Sequence, residues 1–176
     1  MASIQASPFH QAFMGEAVFG ASDDDKPVLA TDGLRTCIGF AGWDPEEKIG
    51  FLAHFAGPKQ VDGFYSEGVK RLLALSKKTN RVFECALIGG YERAAYSREI
   101  VEKIKAGLDS VPNTEFRIIH EEPPTPKYVL KSLSLDLRDG KFGSYNSEED
   151  PEPREKTESY LKRAATFDAT DVLDFP

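Results

Sequence analysis

Apolar and polar residues alternate most cleanly on either side of W-D-P-E-E, residues 43–47, where L-R-T-C-I-G-F-A and K-I-G-F-L-A-H-F each read as a half-buried strand. Asp44 and Pro45 carry the turn chemistry between them, since an aspartate bonds back to following backbone N–H groups and proline presets φ. A β-hairpin is predicted. With a four-residue loop over 44–47, Trp43 pairs with Lys48 and Cys37 falls directly opposite His54, seventeen residues further on. The period of two puts Ile38, Phe40, Phe51 and Ala53 on one face, and Cys37, Gly39, Ala41, Leu52 and His54 on the other. The first set is core. The second sets small residues around a thiol and an imidazole, with Gly39 and Ala41 as the floor of an open site.

The same reading along the chain predicts strands over residues 13–19, 27–31, 81–90, 114–120, 128–137 and 141–145, the last two joined by the Asp139-Gly140 turn. Apolar residues at helical spacing predict helices over 61–77, despite Gly63 and Gly68, and over 91–108. Lys77 and Lys78 then suit the negative end of the first helix. A short helix is expected over 156–165, with loosely ordered ends at 1–12 and 166–176. Hairpins with two interleaved helices predict an α+β fold, a layered sandwich of mixed, largely antiparallel sheets with both main helices packed on one side. At 176 residues a single domain is expected, large enough to bury a core without disulfide or metal staples.

Charge and composition narrow the partners. A net charge of −7 with acidic clusters at 23–25 and 148–152 argues against nucleic acid. No apolar run approaches the roughly 20 residues of a membrane span, and the start M-A-S-I-Q-A-S lacks the features of a secretory leader, so a cytoplasmic chain with free thiols is expected. No C-x-x-C or H-x-x-x-H spacing occurs, and neither a metal nor another cofactor is expected. Cys85 lies in an apolar strand and reads as core, and His10 and His120 have no chemical context.

An imidazole beside a thiol is the arrangement that makes cysteine a nucleophile, and it points to hydrolysis or acyl transfer. The segment V-L-A-T-D-G-L-R-T-C, His54 in F-L-A-H-F and the later A-L-I-G-G together resemble the CheD family of chemoreceptor glutamine deamidases. In that family a nucleophilic cysteine follows a threonine by six residues and precedes a histidine by seventeen, which are the positions of Thr31, Cys37 and His54. The chain is also similar to the protein N-terminal asparagine amidohydrolases through Asp32, Thr36-Cys37, His54 and Gly89-Gly90-Tyr91. More distantly, its Cys–His layout resembles that of bacterial toxins that deamidate host glutamines. Arg35-Thr36 stand where the CheD family has a small Gly-Ser pair, so a bulky cation reshapes the mouth.

The resemblance implies a CheD-like fold and a Cys-His-Thr triad that deamidates glutamine or asparagine side chains of a protein or peptide. Cys37 would be the nucleophile, His54 the acid–base and Thr31 its orienter, with Asp32, Arg35, Thr36, Gly39, Gly89, Gly90 and Tyr91 about the substrate. Asp32 is the candidate to hold a substrate α-ammonium, and the backbone N–H groups of Cys37 and the Asp32-Gly33 turn are candidate oxyanion donors. The alternative from another class is a catalytically silent CheD-like binding module. A papain-like protease is disfavoured because the cysteine is expected on a strand rather than at a helix N-terminus.

Overall fold

A computed structural model describes residues 5–156. Among these, the alternating segments form nine strands: β1 (Phe9–Gln11), β2 (Ala17–Ala21), β3 (Val28–Leu34), β4 (Ile38–Asp44), β5 (Ile49–Phe55), β6 (Arg81–Gly89), β7 (Thr114–Glu121), β8 (Lys131–Asp136) and β9 (Lys141–Gly143). They make a four-stranded sheet in the order β1-β3-β8-β9 and a five-stranded sheet in the order β2-β5-β4-β6-β7. β1 on β3 and β7 on β6 are parallel, and the other ladders are antiparallel. The helices are α1 (Pro58–Gly63), α2 (Val69–Ala74) and α3 (Ala95–Gly107).

Because side chains alternate across each strand, the five-stranded sheet has two apolar faces to cover. One face packs on the four-stranded sheet, bringing Val18, Leu52 and Ile88 against Leu29, Leu133 and Leu135. The other takes the helices, with Phe40, Phe51 and Phe83 under Val61, Phe64, Leu72 and Ile100. The fold is therefore an α+β layered sandwich of sheet, sheet and helices. Phe51 is central to the second core, its ring centroid 4.9 Å from Phe64, 5.1 Å from Phe40 and 5.8 Å from Phe116.

Several boundaries differ from expectation for local reasons. The helical stretch predicted over 61–77 starts at Pro58, whose fixed φ suits a first helical position, and it ends at Ala74. Phe64–Gly68 between α1 and α2 is π-helical, and the wider turn keeps Phe64, Val69 and Leu72 all buried against the sheet. Lys77 and Lys78 do not cap the helix. The Lys77 N–H donates to Glu47 Oε2 at 2.8 Å, and Lys78 Nζ pairs with Asp44 at 3.0 Å and Glu46 at 2.8 Å, tying this loop to the hairpin tip. The second helix begins at Ala95 rather than at Tyr91.

The strand predicted over 13–19 sits later, at Ala17–Ala21, and β8 covers only part of 128–137, which leaves Tyr128, Val129 and Leu130 exposed. The N-terminal stretch expected to be loose includes β1, in register with Val28, Leu29 and Ala30. β3 continues past Thr31 through a bulge, with Gly33 at φ +75. Of the helix expected over 156–165, residues 157–165 lie outside the described residues, as does the tail at 166–176. No helix among the described residues is long and apolar enough to cross a membrane.

Replacing Phe51 with alanine empties the centre of the aromatic cluster and should cost about 3–5 kcal/mol in urea unfolding. A loss below about 1 kcal/mol would mean that the helices and sheet do not share this core.

Candidate functional site

The hairpin forms with a register different from the expected one. Asp44 pairs with Ile49 and Gly39 with His54, so the loop is Pro45 to Lys48. The Asp44 carboxylate accepts from the N–H groups of Glu46 at 2.8 Å and Glu47 at 3.3 Å, and Lys48 closes the turn at φ +53. Cys37 lies in the bend between β3 and β4, just before the ladder, and extending the register would place Ala56 opposite it. A shift of two residues leaves every side chain on its predicted face. Cys37 and His54 thus share the inter-sheet side without being ladder partners.

His54 is held from three directions. Its backbone N–H donates to Glu16 O at 2.9 Å, and its carbonyl accepts from Gly15 N at 2.9 Å. Its ring meets Thr31 of the facing sheet, Nδ1 to Oγ1, at 2.7 Å. The Thr31 hydroxyl donates to the Ala12 carbonyl at 2.7 Å, so its one hydrogen is committed and it accepts from Nδ1–H. This assigns the tautomer. Nε2 carries the lone pair, buried and without a hydrogen-bond partner among the described residues. His54 is 4 % exposed and Thr31 fully enclosed.

The cysteine loop is clamped as well. The Ser97 hydroxyl of α3 donates to Thr36 O at 2.6 Å and accepts from Tyr91 N–H at 3.2 Å. Gly89, at φ +109, lets β6 approach so closely that a β-carbon there would lie 2.6 Å from the Cys37 carbonyl oxygen. Gly90 is likewise at positive φ, where a β-carbon would meet Ile38 and Pro124. Cys37 is 8 % exposed and packs with Leu34, Leu52, Ile88 and Leu133.

Burial sets the charge state. It pushes the Cys37 thiol up to about 11, against a smaller downward pull from the Thr36 side-chain hydrogen bond. It drives His54 down to about 4, with the Asp32 carboxylate pulling weakly upward. The resting pair is a neutral thiol and a neutral imidazole, not the thiolate that adjacency alone suggests.

Other predicted positions separate. Gly39 is opposite His54, but a β-carbon on it would meet Leu34 at 2.8 Å and Leu133 at 3.3 Å, so it is roofed by the second sheet and forms no open floor. Asp32 is half-buried, and its Oδ2 accepts from Ser147 N–H at 3.0 Å. The Arg35 guanidinium lies over the Tyr128 ring at 5.3 Å, and Tyr91 meets the same ring edge-on at 5.3 Å, making an aromatic and cationic rim on the side of the cysteine loop away from His54's strand. Cys85 is fully buried on the helix side. No group of three or more His, Cys, Asp or Glu residues suited to a metal occurs among the described residues.

A cavity of about 510 Å³ opens onto His54, lined also by Phe13, Met14, Asp32, Ser147 and Arg154. Cys37 is not among its lining residues, but Met14 both lines the cavity and packs against the cluster that holds Cys37. The sequence reading missed this wall, the Ala12 carbonyl and the Ser97 clamp. Each acts across a long sequence separation, and only the small polar type of Ser97 early in a helix hinted at a role.

No family model matches the chain. A stretch of 53 residues is 40% identical to a protein of Acanthamoeba polyphaga mimivirus described as uncharacterized, covering 30% of this chain and 18% of the viral protein.

The depressed value at His54 makes stability pH-dependent. The unfolded imidazole takes its proton first, so the contribution is present above about pH 6.5 and lost as pH falls toward 4, about 3 kcal/mol in all. Wild type should therefore lose more urea stability than His54→Gln between pH 7 and pH 4. Equal losses would show that His54 is not buried neutral.

Proposed function

We propose that the chain is a cysteine-dependent amidohydrolase, CheD-like in its Cys-His-Thr triad, that deamidates glutamine or asparagine side chains of a protein or peptide without a cofactor. The observation that carries this reading is the Ala12–Thr31–His54 relay, which leaves a bare Nε2 on the face shared with Cys37 and beside a cavity. A histidine held as a structural core residue has no need of an unpartnered ring nitrogen, and leaving one buried is costly.

Because both groups rest neutral, the proton moves during attack. Nε2 takes the Cys37 proton as the sulfur–carbon bond forms on the carboxamide carbon. The imidazolium is stabilised by Thr31 accepting from Nδ1–H and by the nearby Asp32 charge. Nε2–H then protonates the leaving nitrogen as the carbon–nitrogen bond breaks, and ammonia departs from a thioester. Water, deprotonated by Nε2, attacks the thioester; the carbon–sulfur bond breaks, and the thiol regains its proton. Arg35, Thr36, Gly89, Gly90 and Tyr91 flank the cysteine loop and would form the far wall for the substrate backbone, while Asp32 lines the His54 cavity.

The burial of Cys37 favours a second reading, a silent binding module of the same fold. Ammonia release from a library of glutamine- and asparagine-containing peptides separates the two. The amidohydrolase should release ammonia and leave a carboxylate one mass unit heavier, with Cys37→Ala inactive and Thr31→Val reduced by about tenfold or more. Release that survives Cys37→Ala, or none from any peptide at any pH between 6 and 10, would contradict the assignment.

A further inference from the structure

The wall of the His54 cavity contributed by residues 147–156 has chemistry that the triad does not use. Arg154 reaches back across the chain to Glu16, a carboxylate that also accepts from Phe13 N–H at 2.9 Å. Its guanidinium lies over the Phe13 ring, 4.2 Å from the centroid. Those contacts engage Nη2 and the cationic face, but Nε is buried and has no hydrogen-bond partner among the described residues. Two of the residues that line the cavity thus each have a buried polar atom without a hydrogen-bond partner among the described residues, the donor Arg154 Nε–H and the acceptor His54 Nε2.

We propose that Arg154 and His54 together form the receptor for the substrate's primary carboxamide, Arg154 Nε–H donating to the carboxamide oxygen and His54 Nε2 accepting from its N–H in the bound state, a bond given up when Nε2 takes the Cys37 proton. The proposal rests on the amidohydrolase reading for its choice of substrate, and it adds Arg154 as the specificity-determining residue. Complementarity selects the class. A carboxamide is donor and acceptor at once, whereas a carboxylate offers two acceptors and leaves Nε2 facing a lone pair unless His54 takes up a proton that burial disfavours. The ionic lining is balanced between Asp32 and Glu148 on one side and Arg154 and Lys156 on the other, which suits a neutral ligand. A volume of about 510 Å³ accommodates a glutamine or asparagine side chain. The same geometry distinguishes substrate from product, because deamidation converts the matched group into the mismatched one.

Binding is tested apart from turnover in Cys37→Ala, by ligand-observed NMR titration with Nα-acetyl glutamine and asparagine methylamides and their glutamate and aspartate counterparts at pH 7. One carboxamide should bind about tenfold or more tightly than its carboxylate partner. Arg154→Lys keeps the charge opposite Glu16 but removes the Nε–H, and it should weaken carboxamide binding by a similar factor with little change in melting temperature. If Arg154→Lys loses stability instead, the Glu16→Gln, Arg154→Gln double variant replaces the ion pair with neutral amides and should show the same weakened binding. Equal binding of carboxamide and carboxylate, no binding of either, or affinity unchanged in a folded Arg154 variant would overturn the proposal. Ammonia release by wild type is read separately: release that is indifferent to Arg154→Lys would remove the receptor and keep the amidohydrolase, while Arg154-dependent binding without release would support the receptor and remove the amidohydrolase.

Discussion

One hydrogen bond between two sheets organises the site: Thr31 of the four-stranded sheet accepts from His54 of the five-stranded sheet at 2.7 Å. It exists because both elements are over-determined. β3 is fixed between β1 and β8, and it bulges at Asp32-Gly33 only after Thr31 has been placed. β5 is paired on both sides, by β2 and β4. The Ala12 carbonyl, just after β1, accepts the hydrogen bond from the threonine hydroxyl and so decides which ring nitrogen of His54 is protonated. A neutral hydroxyl thereby does what a carboxylate does elsewhere, orienting the imidazole without placing a second charge in the apolar layer between the sheets.

The same burial restrains the chemistry. A thiol pushed up to about 11 and an imidazole driven down to about 4 are both held in their uncharged forms by the shortage of water around them. A resting ion pair is thus disfavoured, and in the proposed amidohydrolase charge separation belongs to the attack step. The fixed groups around the site fit that demand. Ser97 and Gly89 fix the backbone that carries Cys37, Thr31 fixes the ring, and the Asp32 carboxylate provides a field that favours the imidazolium. A chain that used His54 only for packing would gain stability by replacing it with an apolar residue of similar volume.

Much of this was legible in the residues, and the limits have physical causes. Alternation around W-D-P-E-E placed Cys37 and His54 on one face, because face depends only on parity. The register came out two residues away, because the Asp44 carboxylate caps Glu46 and Glu47 while Lys48 takes a left-handed conformation, which a simple loop count does not foresee. The helical stretch was visible in Val61, Phe64, Val69 and Leu72, but its π-helical centre was not, since periodicity carries no signal for one extra residue in a turn. Gly39 read as a floor because glycine leaves space; the second sheet, brought over it by pairings far along the chain, supplies Leu34 and Leu133 to fill that space. The contact of Arg154 with Phe13 and Glu16 has no local signature at all.

The most direct test of the relay is the ring-nitrogen state of His54, read from imidazole 15N shifts in the folded protein at pH 7. The structure predicts a protonated Nδ1 and a bare Nε2, with that preference lost or reversed in Thr31→Val. A proton on Nε2 in wild type, or a tautomer indifferent to Thr31, would mean that the hydroxyl does not orient the ring and that the site as described does not exist.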